Sequence, residues 1–474
     1  MSSTFEFPII TPLIVRHASD SSFYWTQLEK SLASVTFDFN RVSHFNRLLD
    51  AHLDGLFLAK KASWPIAFKA LERWKKGGEA FSAAYCAIQN EAPDELDQVL
   101  RIITQRPEDL IRGVVSAFTR APQESVLPII KLWSGMRMGA VAQVVALRAA
   151  NLIGNRGISA LDSPLENYFA SASPYVRAAA CRLAANFCDG KTHVNNPSQA
   201  ARKTGEASGM HLRESHDGLS TLLQQAIMDS DLCVRAEASI ALSKHGDRQR
   251  SLPILRECIV ALDLTYSEAS GWNRMQMARR LKRWTRELAW LSPTGALASG
   301  KLLSVLSPRT ALTFALCQGD LGNTAFVVAQ MTNPTVDRYA GWVWQALTGI
   351  DLAASGWVLE DSSSSAAEVG ARVTEGTHDA ENGLPKPDHA AVSAYEIAKA
   401  RYAGQGKRVL LGSELSFERA VALLETGPQA VRILAAQVVN ETQSVVRFSV
   451  RATAREQRIS MERIRSFIAE KVSA

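Results

Sequence analysis

Ser173-Pro174-Tyr175-Val176-Arg177-Ala178-Ala179-Ala180-Cys181-Arg182-Leu183-Ala184 aligns with Asp231-Leu232-Cys233-Val234-Arg235-Ala236-Glu237-Ala238-Ser239-Ile240-Ala241-Leu242. Each stretch sets a polar turn before Val-Arg and then places small and apolar residues at helical spacing. A helical hairpin of this kind cannot bury its own apolar face and must stack on a neighbour. Val176 and Val234 are therefore expected in the core. Arg177 and Arg235, at equivalent positions, are expected to bond turn carbonyls or an acid of the adjacent repeat. The two Val-Arg pairs stand 58 residues apart, too far for one hairpin. Residues 189–217, polar and rich in Gly and Ser with almost no apolar periodicity, account for the excess and read as a surface insert. Subtracting them leaves a period of about 30 residues, normal for a helical repeat. The reading is an all-α solenoid of stacked helical hairpins.

Helical patterning extends outward in both directions. Two helices are expected within residues 13–60, the second from Val42 with Phe45, Leu48, Leu49, Leu53, Leu56 and Phe57 on one stripe. The segment from Asp94 to Ile103 opens on Asp94 as a cap. Glu124–Trp133, Ala140–Ile153 and Leu165–Phe169 follow, and Pro174 sits where a helix tolerates proline, in its first turn. Beyond the repeats come Leu252–Leu262, Trp272–Leu291, Arg309–Cys317, Asn323–Gln330 and Val336–Leu347. The pattern stops near Gly356. Residues 356–390 carry Ser362 to Ser365 and many acids against few bases, the composition of a loosely held acidic linker. Helices resume at Ala391 and end in a basic tail helix, Glu456–Lys471. Four regions are expected: 1–130, a repeat array at 131–355, the linker 356–390, and a helical region at 391–474.

With 46% hydrophobic and 21% charged residues, the 474-residue chain has an ordinary folded composition. Its net charge of +6 is compatible with an anionic partner without requiring one. The N-terminus has Glu6 where an export signal needs bases, and Pro8 and Pro12 break its apolar run. No window approaches the ~20 apolar residues of a membrane span. Six cysteines sit mostly in apolar helical patterns and form no Cys-x-x-Cys pair, so reduced thiols in a cytoplasmic protein are expected.

Several short motifs occur in a fixed order. They are Asn46 to Leu56, containing His52-Leu53-Asp54-Gly55-Leu56; Gly78-Glu79-Ala80-Phe81-Ser82-Ala83-Ala84; Gln318-Gly319-Asp320-Leu321-Gly322; Ala346-Leu347-Thr348-Gly349-Ile350-Asp351-Leu352; Leu384-Pro385-Lys386-Pro387-Asp388; and Arg408-Val409-Leu410-Leu411-Gly412. This series, across roughly residues 15–440, resembles an uncharacterised family of bacterial HEAT-repeat proteins. Members tend to accompany type VI secretion gene clusters. The resemblance implies a HEAT-like solenoid and an accessory protein of that contractile system, and it brings no catalytic residue with it.

The chain has no Gly-x-Ser-x-Gly, no Gly-x-x-x-x-Gly-Lys-Ser/Thr, no His-Glu-x-x-His and no dinucleotide fingerprint. No enzyme activity, cofactor or metal is expected. His44 and His52 lie two helical turns apart, about 12 Å, too far to share an ion. His211 and His216, with Glu214 and Asp217, read as solvated residues of the insert. Gly404 to Arg408 reads as a turn.

The chemically suggestive segment is Trp272 to Arg286. Met277, Leu281, Trp284 and Leu288 share one side of a helix, while Arg274, Arg279, Arg280, Lys282, Arg283 and Arg286 supply cations. Such a face suits phosphates, anionic lipid or an acidic protein surface; its plain reading is a repeat helix with its charges in water. A second cluster joins Lys60, Lys61, Lys69, Arg73, Lys75 and Lys76 to Trp64 and Trp74, both expected to pack between helices. The function expected is a non-enzymatic scaffold that binds another protein, whether a secretion-system component, an effector or a toxin. The alternatives are an immunity protein that blocks a toxin and a HEAT-like nucleic-acid binder, the latter disfavoured.

Overall fold

The computed structural model describes residues 9–186, 218–295, 297–359, 383–399, 406–443 and 446–473. The expected insert at 189–217, with His211 and His216, lies outside the described residues, as does the central part of the expected linker, 360–382. The described chain is all-helical apart from two short antiparallel ribbons. It divides into two compact units. One comprises residues 1–29, 40–226 and 452–456, the other residues 30–39, 227–451 and 457–474. The expected boundary at 130/131 falls inside the first unit and that at 390/391 inside the second. Among the described residues, no helix is long and apolar enough to cross a membrane.

The first unit holds α1 (Thr11–Ser31), α2 (Phe39–Ala59, whose first residue belongs to the second unit), α3 (Trp64–Trp74), α4 (Gly77–Gln89), α5 (Pro93–Gln105), α6 (Pro107–Arg120), α7 (Gln123–Ser134), α8 (Ala140–Ile153), α9 (Asn155–Ser159), α10 (Leu165–Phe169) and α11 (Pro174–Ala184). Proline in the first turn of α3, α5, α6 and α11 presets the helical φ where no amide donor is needed. That displaces one expectation. α5 opens on Pro93, and Asp94 lies inside the first turn with Glu95, complementing the helix dipole in place of a side-chain cap. α4 is buried on almost every side from Gly78 to Ile88. Its alanines admit close neighbours, Phe81 stacks on Trp25 at 5.7 Å, and the Ser82 hydroxyl meets those of Ser21 at 2.8 Å and Ser22 at 2.9 Å. α4 packs on α6, α6 on α8, and α8 on α11. Trp64 stacks on Phe68, one turn on in the same helix, at 4.8 Å and is partly buried against the core. Trp74 does not pack there: it ends α3, is half exposed, and lies under Arg73 and Lys76. The helix stops there because Lys75 takes a left-handed conformation, with φ of 47°.

The second unit contains α12 (Leu232–Lys244), α13 (Arg248–Glu268), α14 (Gly271–Leu291), α15 (Leu297–Val305), α16 (Pro308–Gln318), α17 (Thr324–Gln330), α18 (Asp337–Thr348), α19 (His389–Lys399), α20 (Phe417–Thr426) and α21 (Gln429–Thr442). A last helix, α22 (Ala454–Ser473), begins on residues of the first unit and continues into the second. α12 packs on α13 and α14, α14 on α16, and α16 on α18. Asp231 caps α12 by accepting from the amides of Cys233 at 2.8 Å and Val234 at 3.1 Å.

Apolar periodicity gave no sign of the ribbons. Val358–Leu359 (β1) pairs with Lys386–Pro387 (β2), so both described ends of the expected linker are paired strands. Val409–Leu410 (β3) turns back on Ser413–Glu414 (β4). The described cysteines are free, and all but Cys233 are buried.

Candidate functional site

α14 divides the sequence-predicted cations into three groups. Leu281, Trp284 and Leu288 are buried, which fixes the rotation of the helix. Arg279 and Lys282 are exposed. Arg283 and Arg286, on adjacent turns, are only 25% and 27% exposed because they lean on carboxylates. Arg283 binds Glu237 of α12, which is 1% exposed and also accepts from Trp284 Nε1 at 3.1 Å. Arg286 lies 3.7 Å from Glu287, and Lys244 lies 3.2 Å from the same carboxyl. Burial pushes the Glu287 pKa up, but Lys244, Arg286 and Arg283 together outweigh it and hold the carboxyl at about 2. At the start of the helix Arg274 donates to the carbonyl of Ala269 at 3.3 Å and covers the Tyr266 ring at 4.7 Å. Arg280 is half-buried.

The Val-Arg positions hold the same local place in each helix. Val176 and Val234 are buried, whereas Arg177 and Arg235 are half-buried. Arg177 donates to the carbonyls of Ser171 at 2.9 Å and Ala172 at 3.1 Å, in the turn just before its own helix.

The C-terminal end of α14 is built by a residue that the sequence reading left in a turn. Arg408 donates to the carbonyls of Ser292 at 3.0 Å, Gln318 at 3.0 Å and Ala289 at 3.3 Å, and also to that of Trp290. Its charge thereby meets the negative ends of two helices, α14 and α16. β3 continues the seam. Val409 N–H donates to the carbonyl of Gly319 at 2.7 Å, Leu411 N–H to that of Ala346 at 2.6 Å, and Gly412 N–H to that of Leu347 at 3.2 Å. Gly349 ends α18 with φ of +74°, and a Cβ there would stand 2.7 Å from the Leu411 carbonyl carbon. Asp320 accepts from the amides of Gly295 at 2.6 Å and Gly322 at 2.8 Å. Arg338 donates to the Leu384 carbonyl at 2.5 Å, and Asp388 accepts from the Ala391 amide at 3.1 Å to open α19. Three of the four C-terminal motifs thus meet at helix ends closed by one strand, while Leu384–Asp388 bonds Arg338 and opens α19.

Sequence reasoning separated His52 from His44 and did not find the histidine that it meets. On α2, His52 turns toward α1, where its Nδ1 lies 3.0 Å from Nδ1 of His17. Its Nε2 lies 3.5 Å from a carboxylate oxygen of Asp20. The Tyr24 ring stacks on His52 at 5.5 Å. Gly55, one turn on, makes room, because a Cβ there would stand 2.6 Å from the His17 ring. Burial lowers the His52 pKa, as do His17 and Arg16, while Asp20 raises it. Nothing in the patterning of α1 flags His17, since the partner of a surface histidine is set by how two helices dock.

The chain matches no family model, no curated protein and no solved structure.

Proposed function

We propose that the chain is a HEAT-like helical-repeat solenoid that acts as a non-enzymatic protein-binding scaffold. Its role would be that of a cytoplasmic adaptor, chaperone or assembly factor of a type VI secretion system. The observation that carries the repeat reading is the packing of non-consecutive helices within each unit: α4 on α6 on α8 on α11, where two five-residue helices intervene before α11, and α12 on α14 on α16 on α18. A chain in which each hairpin buries its face against the next grows in this order and offers extended surfaces to partners. The motifs behind the resemblance support a scaffold in a second way. Gly349, Asp320, Asp388 and Arg408 form and close helix ends, which is architectural work.

Within this reading the partner meets the outward cations of α14, Arg279 and Lys282. Arg283 and Arg286 serve mainly to anchor the helix, their charges being directed onto Glu237 and Glu287.

Affinity capture of the tagged full chain from its host, at low and high salt, tests the proposal. The control is an Arg279→Glu, Lys282→Glu double variant. Retention of a secretion-system component by the native chain, and its loss from the variant, is the expected result. A captured toxin, neutralised in a growth assay, would replace the adaptor reading with an immunity role. Recovery of nucleic acid alone, lost at high salt, would overturn both in favour of nucleic-acid binding.

A further inference from the structure

One end of the first helical hairpin is apolar where water meets it. α1 and α2 run antiparallel, because the Tyr24 ring lies 5.8 Å from that of Phe45 while His17, two turns earlier, packs on Gly55. That register brings the start of α1 to the end of α2. Ile9, Ile10 and Leu13 stand at the first, Phe57 and Leu58 at the second, and all five are about half exposed or more, Leu58 to 76%. Ile10 is fixed in place, since its carbonyl accepts from the amides of Leu13 at 3.0 Å and Ile14 at 3.4 Å. A single exposed leucine means little, but five large apolar side chains at one end of one hairpin mark an interaction surface.

Lysines follow at once. Lys60 and Lys61 are exposed just past the last turn of α2. Lys60 holds a left-handed φ of 48°, which glycine takes at less cost, so the chain keeps a cation there against its backbone preference. The acids nearby are Asp54, one turn before Leu58, and Glu95, within electrostatic reach of Lys61. Long-range attraction therefore comes from the whole segment 60–76, where Lys60, Lys61, Lys69, Arg73, Lys75 and Lys76 stand against Glu72 alone.

This composition selects the partner. Protein interfaces deplete lysine and favour arginine, whereas five of these six cations are lysine. A nucleic-acid backbone offers nothing to four exposed aliphatic side chains. An anionic bilayer meets both needs: apolar side chains enter the headgroup boundary, and lysine stems lie along them with their ammonium groups among the phosphates.

We propose that the α1–α2 tip docks on an anionic lipid surface, with Ile9, Ile10, Leu13, Phe57 and Leu58 entering the headgroup boundary and Lys60 and Lys61 meeting the phosphates. This surface is distinct from the cations of α14, and its use does not depend on what those bind.

The test is co-sedimentation of the full chain with vesicles of phosphatidylcholine alone or of an equimolar mixture with phosphatidylglycerol. The native chain should partition onto the anionic vesicles about tenfold more than onto the neutral ones, and less at high salt. Ile10→Glu with Leu58→Glu, both at exposed positions, should lower that partition about tenfold, and Lys60→Glu with Lys61→Glu should do the same. Failure of the native chain to sediment, or equal partition onto neutral vesicles, would overturn the proposal. So would binding that needs the lysines but not Ile10 and Leu58, which is the behaviour any polyanion, nucleic acid included, would produce. Hydrogen exchange of the native chain needs no variant to fold. Anionic vesicles should slow exchange in peptides spanning 9–13 and 57–61, and vesicle binding that leaves both unchanged would refute the tip as the docking surface.

Discussion

The guanidinium of Arg408 lies 4.5 Å from the centre of the Trp290 ring while bonding the carbonyl of the same residue. A single side chain therefore covers the last turn of α14 from above and closes it from the end.

Substituting Arg408 by Ala should destabilise the second unit by about 3 kcal/mol, since it strips a charged donor from four carbonyls, several of them part-buried. Arg408→Lys should recover only part of the loss, because a point charge cannot reproduce the planar fork. Thermal unfolding of the two variants beside the native chain measures both effects. Equal stability of Arg408→Ala and the native protein would remove Arg408 from the account of the seam.

Two glycines with nearly the same backbone separate conformation from contact. Gly356 has φ of +71° with open space around its Cβ position, whereas Gly349 has φ of +74° against the Leu411 backbone. Gly356→Ala should cost about 1 kcal/mol, the left-handed penalty alone. Gly349→Ala should cost clearly more, because backbone must move. Denaturation midpoints of the pair decide it, and equal costs would mean that the strand yields freely.

Glu287 sets an acid limit. Its carboxyl titrates at about 2 in the fold against 4.5 as its ordinary value. The unfolded state therefore binds the proton more tightly, and stability rises with pH through this window. The contribution, about 3 kcal/mol, is complete above pH 4.5 and is lost as pH falls toward 2. Glu287→Gln should flatten the acid limb of stability measured between pH 5 and pH 2. An unchanged limb would show that Lys244 and Arg286 do not stabilise the ionised carboxyl.

The cations of α14 should behave as two classes. Arg283→Ala withdraws the guanidinium from the buried carboxylate of Glu237 and should cost about 2–3 kcal/mol. Arg279→Ala and Lys282→Ala, at exposed positions, should change stability by less than about 0.5 kcal/mol. Calorimetric scans of the three variants would show the split; uniform losses would contradict it.

Helix identity and the apolar stripe of α14 were legible because burial repeats every 3.6 residues. Leu281, Trp284 and Leu288 follow that period into the core. Local cues also placed Pro174 in a first turn and Val176 and Val234 inside. What local patterning could not carry is docking. No period in α1 announces that His17 meets His52, and nothing near residue 408 signals that its guanidinium reaches the ends of α14 and α16. Two-residue strands such as β1 and β3 are too short to alternate visibly. Arg283 read as a surface cation because the carboxylate it leans on lies 46 residues away on another helix.

The seam at Arg408 also has an order in time. Ribosomes release a chain from its N-terminus, at about 5–20 residues per second. Trp290 emerges 118 residues before Arg408. For those seconds the carbonyls at the end of α14, and those of Gly319 and Ala346, have only water to bond. The second unit thus acquires its final closure late in synthesis, and a nascent chain stalled before residue 408 is a natural substrate for chaperones and proteases.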